Sequence, residues 1–251
     1  MDFPLFTRLA AEFFGTAIML MLGNGSVADV ELKGTKGYHS GWITISIGYG
    51  FAVLVPALMF GSVSGGQFNP AMTLGLAING AFPWNEAFLY ILAQFLGAIA
   101  GQLVVVACFY PHYDITEDPE SILGTFSTIS ATNSRFNGFV NEFFGTFTLV
   151  FGALAITHTS FFEHGNQGAG YIGIGLLVMV LVTSFGGPTG PALNPARDLG
   201  PRIVHALLPL KHKGSSQWDY AWVPVLAPIC AAVSGVLIYN IIFGLLCLNY
   251  S

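Results

Sequence analysis

Apolar residues in this chain gather into long, nearly unbroken runs instead of alternating with polar ones. Six runs stand out: residues 9–28, 41–61, 86–110, 138–159, 170–187 and 220–248. About 20 apolar residues in a helix cross a hydrocarbon core of ~30 Å, so each run predicts a membrane-spanning helix. Polar stretches separate them, among them DVELKGTKGYHSG at 29–41 and PHYDITEDPESILGTFSTISATNSRFNG at 111–138. None is low in complexity or linker-like, so residues 1–251 read as a single domain.

Two further segments are too short to span. PAMTLGLAIN at 70–79 and PARDLGPRIVHALL at 195–208 each open with Asn-Pro. Asn is a favourable N-cap, and Pro at the first helical position sacrifices no hydrogen bond. Ten helical residues at ~1.5 Å rise cover about half of the core. Both segments therefore predict half-helices that begin inside the membrane.

The chain also repeats itself. AEFFGT at 11–16 returns as NEFFGT at 141–146, and GGQFNPAMTLG at 65–75 returns as GPALNPARDLG at 190–200. Each half, about 1–110 and 138–251, reads span, span, half-helix, span. An odd number of spans inserts the second half upside down. Such inverted repeats bring the half-helix N-termini face to face near the midplane. The predicted fold is an all-α membrane protein with six transmembrane helices and two re-entrant half-helices.

Composition narrows the class. Residues are 53% hydrophobic and 8% charged, far from the roughly one quarter charged of a soluble domain. Helix-length runs exclude an outer-membrane barrel. A net charge of −5 argues against a nucleic-acid partner. Cys108, Cys230 and Cys247 have no ligand-like spacing and read as inert buried thiols. No metal or cofactor is expected. His39, His112, His158, His164, His205 and His212 fall mostly near span ends, where solvated or surface hydrogen-bonded roles are expected. They form no catalytic pattern, so no enzyme is expected. Arg8 is the one cation before the first run, and no small-residue cleavage site follows, so a retained first helix is expected.

Within this apolar background a few polar residues carry the chemistry. Two facing half-helix N-termini place roughly +0.5 charge each at the midplane and repel cations. Asn69 and Asn194 can cap their helices through the amide oxygen while their NH₂ groups donate into a lumen. Arg197, inside the membrane, is a functional residue by default because an unpaired charge there is costly. Its donor fork suits solute oxygens; pairing with Asp198 is the bland alternative. Glu12 and Glu142 have two readings: proton sites of a coupled transporter, or acceptors for the orphan amides of the unwound loops.

Two Asn-Pro-Ala motifs (Asn69–Pro70–Ala71 and Asn194–Pro195–Ala196), two Glu-Phe-Phe-Gly-Thr starts and six spans resemble the aquaporin family over essentially the whole chain. Asp198 after the arginine, Arg202, and the Trp-Val-Pro of the last span resemble its glycerol-facilitator branch. The resemblance implies a homotetramer in the cell membrane with a pore in every subunit. It implies a selectivity filter of Tyr49, Val182, Pro191 and Arg197. It also implies a ladder of backbone carbonyls from Gly65, Gly66, Gln67, Gly190, Pro191 and Ala192, with structural support from Glu12, Glu142 and Asp198. The filter departs from the branch: Tyr49 replaces tryptophan, Val182 the usual glycine, Pro191 phenylalanine, and Gln67 a frequent histidine. With Arg197 and the Tyr49 hydroxyl on one side and aliphatic surface on the other, that filter suits a small neutral hydroxylated solute. It resembles the filter of lactic-acid-bacterium facilitators that pass undissociated lactic acid as well as glycerol.

The expected function is a passive channel for glycerol and water, and for lactic acid with them, excluding ions and protons. The rival readings are a proton-coupled secondary transporter and a junction protein with a closed pore. The resemblance also implies cytoplasmic termini, although Lys33, Lys36, Arg135, Arg202, Lys211 and Lys213 then lie outside, against the positive-inside rule.

Overall fold

The computed structural model describes residues 3–157 and 167–248, and among these every regular element is helical. The spanning helices are α1 (Leu5–Glu31), α2 (Trp42–Ser64), α4 (Trp84–Ile115), α6 (Arg135–Thr157), α7 (Gln167–Thr189) and α9 (Val223–Leu248). All six contain a window long and apolar enough to cross a membrane. The half-helices are α3 (Pro70–Ile78) and α8 (Pro195–Leu207). All eight predicted helices are present, with ends shifted by a few residues. A ninth, α5 (Pro119–Gly124), lies in the polar stretch read as a connector.

Glycines set how closely the spans approach. A Cβ on Gly97 of α4 would stand 2.3 Å from the Phe13 carbonyl oxygen, and one on Gly101 would stand 2.3 Å from that of Ala17. The backbones of α1 and α4 are therefore in contact, the usual route to tight helix pairing where lipid removes the hydrophobic drive between helices. Gly50 of α2 and Gly175 of α7 do the same across the other face: a Cβ on either would lie 3.1 Å from the other's carbonyl oxygen. The half-helices pack inside this cage, α3 against α9 and α8 against α4, and they touch each other.

Large apolar side chains point outward, among them Phe6, Phe14, Phe88, Leu92 and Phe144, as a lipid-facing surface requires. Cys108 and Cys230 are exposed on that surface, not buried as expected, because a lipid-facing position accepts a small apolar thiol as readily as a core does. His205 departs the other way. It is fully buried, its ring nitrogens bonded to the Ser216 hydroxyl at 2.8 Å and the Lys213 carbonyl at 3.1 Å. A histidine near a helix end is expected at the surface, but the 208–222 segment folds back over this one. His158 and His164 lie outside the described residues.

Candidate functional site

Asn69 and Asn194 stand in extended backbone, at φ −153° and −157°, directly before Pro70 and Pro195. Their Oδ1 atoms accept from the orphan amides of the first turn. Asn69 takes the Ala71 N–H at 2.9 Å; Asn194 takes Ala196 at 3.0 Å and Arg197 at 3.2 Å. The NH₂ groups are not wholly free for a lumen. Asn69 donates to the Leu193 carbonyl and Asn194 to the Phe68 carbonyl, each at 2.8 Å, so the half-helices are tied tip to tip. An amide NH₂ carries two hydrogens, which leaves one on each for the cavity both residues line.

The repeated EFFGT segment explains how two unwound loops are held. Glu12 is fully buried. Its Oε1 accepts from the Ser64 hydroxyl at 2.6 Å and the Gln67 N–H at 3.0 Å; its Oε2 accepts from the Phe68 N–H at 2.7 Å and the Gln94 amide at 2.8 Å. Glu142 repeats the arrangement on the Thr189 hydroxyl at 2.7 Å, the Ala192 N–H at 2.9 Å and the Leu193 N–H at 3.0 Å. Phe68 and Leu193 sit at φ +47° and +54°, a left-handed region that bulky residues rarely enter. The glycine of each repeat gives them room: a Cβ on Gly15 would lie 2.1 Å from the Phe68 ring, and one on Gly145 would lie 2.6 Å from a Leu193 methyl. Glutamate holds the loop's backbone, and the glycine three residues on receives its side chain.

Two cavities enter the protein from opposite ends of the helix bundle. The first, of about 220 Å³, is lined by Asn69, Asn194, Gly65, Gly66, Gln67, Pro191, Ala192 and mostly aliphatic side chains. The buried Gln67 amide oxygen has no protein partner. The second, of about 340 Å³, opens among Glu31, Trp42, Asp118, Glu120, Gly190 and the 127–131 loop. Four residues line both cavities: Tyr49 of α2, Val182 of α7, Pro191 of the second loop and Arg197 of α8. Glu12 and Glu142 line neither.

At this junction the alternative role for Arg197 falls and one expectation needs correction. Arg197 does not pair with Asp198. Its Nη1 donates to the Phe126 carbonyl at 3.0 Å, its Cζ lies 5.0 Å from the Tyr49 ring centroid, and its buried Nε–H has no protein acceptor. Asp198 pairs instead with Arg202, at 2.9 and 3.1 Å, and also accepts from the Thr128 N–H and hydroxyl at 2.8 and 2.7 Å. Both members of that pair are fully buried, and Arg202 adds the Thr128 and Ser216 carbonyls at 2.9 and 2.7 Å. Such saturation is what a buried ion pair requires. It also removes Arg202 from any count of loop charges. The correction concerns Tyr49, whose hydroxyl hydrogen is committed to Asn24 Oδ1 and is not free to donate to a solute.

Several residues around this junction and the second cavity lie outside the expected site. Asn24 and Gln102 are polar positions inside apolar runs, a visible signal. Trp42 donates from Nε1 to the Val182 carbonyl at 2.9 Å. Asp118 caps α5 through the Ser121 N–H at 3.0 Å and hydroxyl at 2.8 Å; the Ser121 hydroxyl first, then the α5 amides, hold its carboxyl below the usual carboxylate range. The Phe126 carbonyl carries no sequence signal at all.

Six spans caging two tip-joined half-helices, with a cavity on each side, define a membrane channel of inverted-repeat architecture. The chain matches the Major intrinsic protein family over residues 2–239 and belongs to that family. It is 54% identical over 244 residues to glycerol uptake facilitator protein-like 5 of Lactiplantibacillus plantarum, covering 95% of this chain and 97% of that one. It is 44% identical over 289 aligned positions to the glycerol facilitator-aquaporin of Lactococcus lactis subsp. cremoris, covering 97% and 100%. The X-ray structure of the aquaglyceroporin from Plasmodium falciparum superposes with a TM-score of 0.85 at 27% identity, covering 94% of this chain and 96% of that one. The protein is accordingly a multi-pass integral membrane protein with the aquaporin fold, and a channel rather than an enzyme.

Proposed function

We propose that this chain passively conducts small uncharged solutes, glycerol and water foremost and undissociated lactic acid with them. The observation that carries the reading is the junction of the two cavities at Tyr49, Val182, Pro191 and Arg197. In this reading those four residues are the selectivity constriction. Arg197 offers its free Nε–H to a solute oxygen, while the Tyr49 ring, Val182 and Pro191 receive the carbon backbone. Carbonyls of Gly65, Gly66, Gln67, Gly190, Pro191 and Ala192 accept from passing hydroxyls. Asn69 and Asn194 each donate one hydrogen at the midplane, which orients water and interrupts a proton wire. The facing half-helix dipoles and the Arg197 charge repel cations and protons. Lactate anion is excluded by desolvation, and Glu31, Asp118 and Glu120 at the second cavity oppose its approach.

A proton-coupled mechanism through Glu12 or Glu142 fits poorly. Both carboxylates line neither cavity and are saturated by loop donors. The relatives named as glycerol facilitators support the channel reading. We infer a homotetramer in the cell membrane, each subunit with its own complete pathway.

The test is stopped-flow light scattering of proteoliposomes with water, glycerol, dihydroxyacetone and lactic acid. The expected result is downhill flux with a low activation barrier that ignores an imposed proton gradient. Lactic acid flux should follow the undissociated fraction and fall as pH rises. Saturable flux that tracks the proton gradient would overturn the reading.

A further inference from the structure

Tyr49 is buried beside the proposed constriction, and its hydroxyl donates to a residue on another helix. Asn24 of α1 is fully buried and every polar atom of its amide is engaged. Its Oδ1 accepts from the Tyr49 hydroxyl. Its Nδ2 donates to Gln102 Oε1 at 2.5 Å and to the Phe126 carbonyl at 3.1 Å. That carbonyl is the same one that accepts from Arg197 Nη1. Gln102 closes the arrangement by donating to the Thr125 carbonyl at 3.3 Å. The Phe126 carbonyl fixes the Asn24 amide orientation, because a flipped Asn24 would set its oxygen against a group that can only accept. Gly23 completes the fit, since a Cβ there would stand 2.5 Å from the Tyr49 ring.

Resting on the reading of Tyr49, Val182, Pro191 and Arg197 as the constriction, we propose that Asn24 is a specificity-determining positioning residue. It holds the Tyr49 hydroxyl out of the lumen and braces the carbonyl that orients Arg197. The tyrosine then presents its ring alone to the solute, and Arg197 is the sole side-chain donor at the junction. A wall of that kind favours a carbon-bearing polyol over water. Without Asn24 the phenol lacks its acceptor and turns to the lumen for one, which makes the constriction more polar and favours water.

The experiment measures the ratio of glycerol to water permeability in proteoliposomes for Asn24→Leu, Tyr49→Phe, the double variant and Val182→Ala. Asn24→Leu should lower the ratio by roughly 2- to 10-fold, the rate equivalent of one neutral hydrogen bond. The double variant should have the ratio of Tyr49→Phe alone, because no hydroxyl remains to be released. A loss in packing alone would lower both permeabilities and leave their ratio in place. If Asn24→Leu leaves the ratio unchanged, or if its effect persists undiminished beside Tyr49→Phe, the proposal is overturned. Should Asn24→Leu not accumulate as folded protein, Asn24→Ser is read in its place. Its shorter side chain ends short of Tyr49, so the same fall and the same cancellation are expected, and their absence overturns the proposal equally. Val182→Ala separates the two levels. By widening the junction it should raise passage of bulkier polyols. If it shifts selectivity while the Asn24 variants do not, the Asn24 inference alone fails. If none of them shifts selectivity, the location of the constriction fails as well.

Discussion

Gly15 and Gly145 occupy equivalent places in the repeat but face different neighbours, and that difference gives a residue-scale prediction. A methyl on Gly15 meets the Phe68 ring at 2.1 Å. That ring is buried, and its backbone is pinned by Glu12 in a left-handed turn. A methyl on Gly145 meets only the end of the Leu193 side chain, at 2.6 Å. Overpacking costs about 1–3 kcal/mol, whereas alanine within a helix gains up to about 1 kcal/mol over glycine. Gly15→Ala should therefore lower the thermal midpoint in detergent clearly, and Gly145→Ala little or not at all. The reverse order, followed by tryptophan fluorescence on heating, would contradict the picture of a rigid first loop. The sequence marked these glycines as part of a repeat but not as sockets, because the side chain each receives arrives from a distant loop. The same holds for Tyr49. Its place in the filter was implied by the family resemblance, but the partner of its hydroxyl, Asn24, lies on another helix.

At the scale of elements, the apolar runs and the two Asn-Pro starts were enough to place eight helices. They could not place α5, whose six residues are too few for a periodic signal and sit among polar ones. The Asp118–Pro119 start nevertheless follows the same rule as Asn69–Pro70: a capping side chain and then a proline that needs no donor. Helix pairing was also hidden, because an apolar run does not say which of its glycines touches a neighbour. Gly101 meets a backbone oxygen of α1 that cannot retreat, whereas Gly25 of α1 has open space beyond it. Gly101→Leu should thus abolish recovery of monodisperse protein, while Gly25→Ala should be neutral or slightly stabilising. Size-exclusion profiles of the two purified side by side check this, and equal behaviour would disprove close α1–α4 contact as a folding requirement.

On the scale of the whole molecule, both half-helices and both cavities belong to a single chain, so the proposed pathway needs no partner to complete it. The proposed tetramer then serves packing in the bilayer and not the passage itself. Native mass spectrometry from mild detergent should show a mass near four times 26.7 kDa. A monomer under conditions that preserve solute flux after reconstitution would refute the tetramer while leaving the pathway intact. Charge follows the same division. Arg197 and Arg202, conspicuous in the sequence as cations near a span, are internal: one faces the cavity junction and the other locks Asp198 to the 127–131 loop. Neither is available to orient the chain in a membrane.

The sequence by itself determined the class of solvent, the number of spans, the inverted repeat and the positions of the two capped half-helices. These follow from local physics: hydrocarbon selects long apolar helices, Asn-Pro starts a helix without losing a hydrogen bond, and an odd count of spans inverts the second half. Only the tertiary structure decided which hydrogen bond each polar group makes. Asn69 and Asn194 tie the half-helices to one another, Asp198 chooses Arg202 over its neighbour, and Asn24 takes the Tyr49 hydroxyl. In a medium without water each buried donor must find an acceptor. Which acceptor lies within reach depends on segments far apart in the chain.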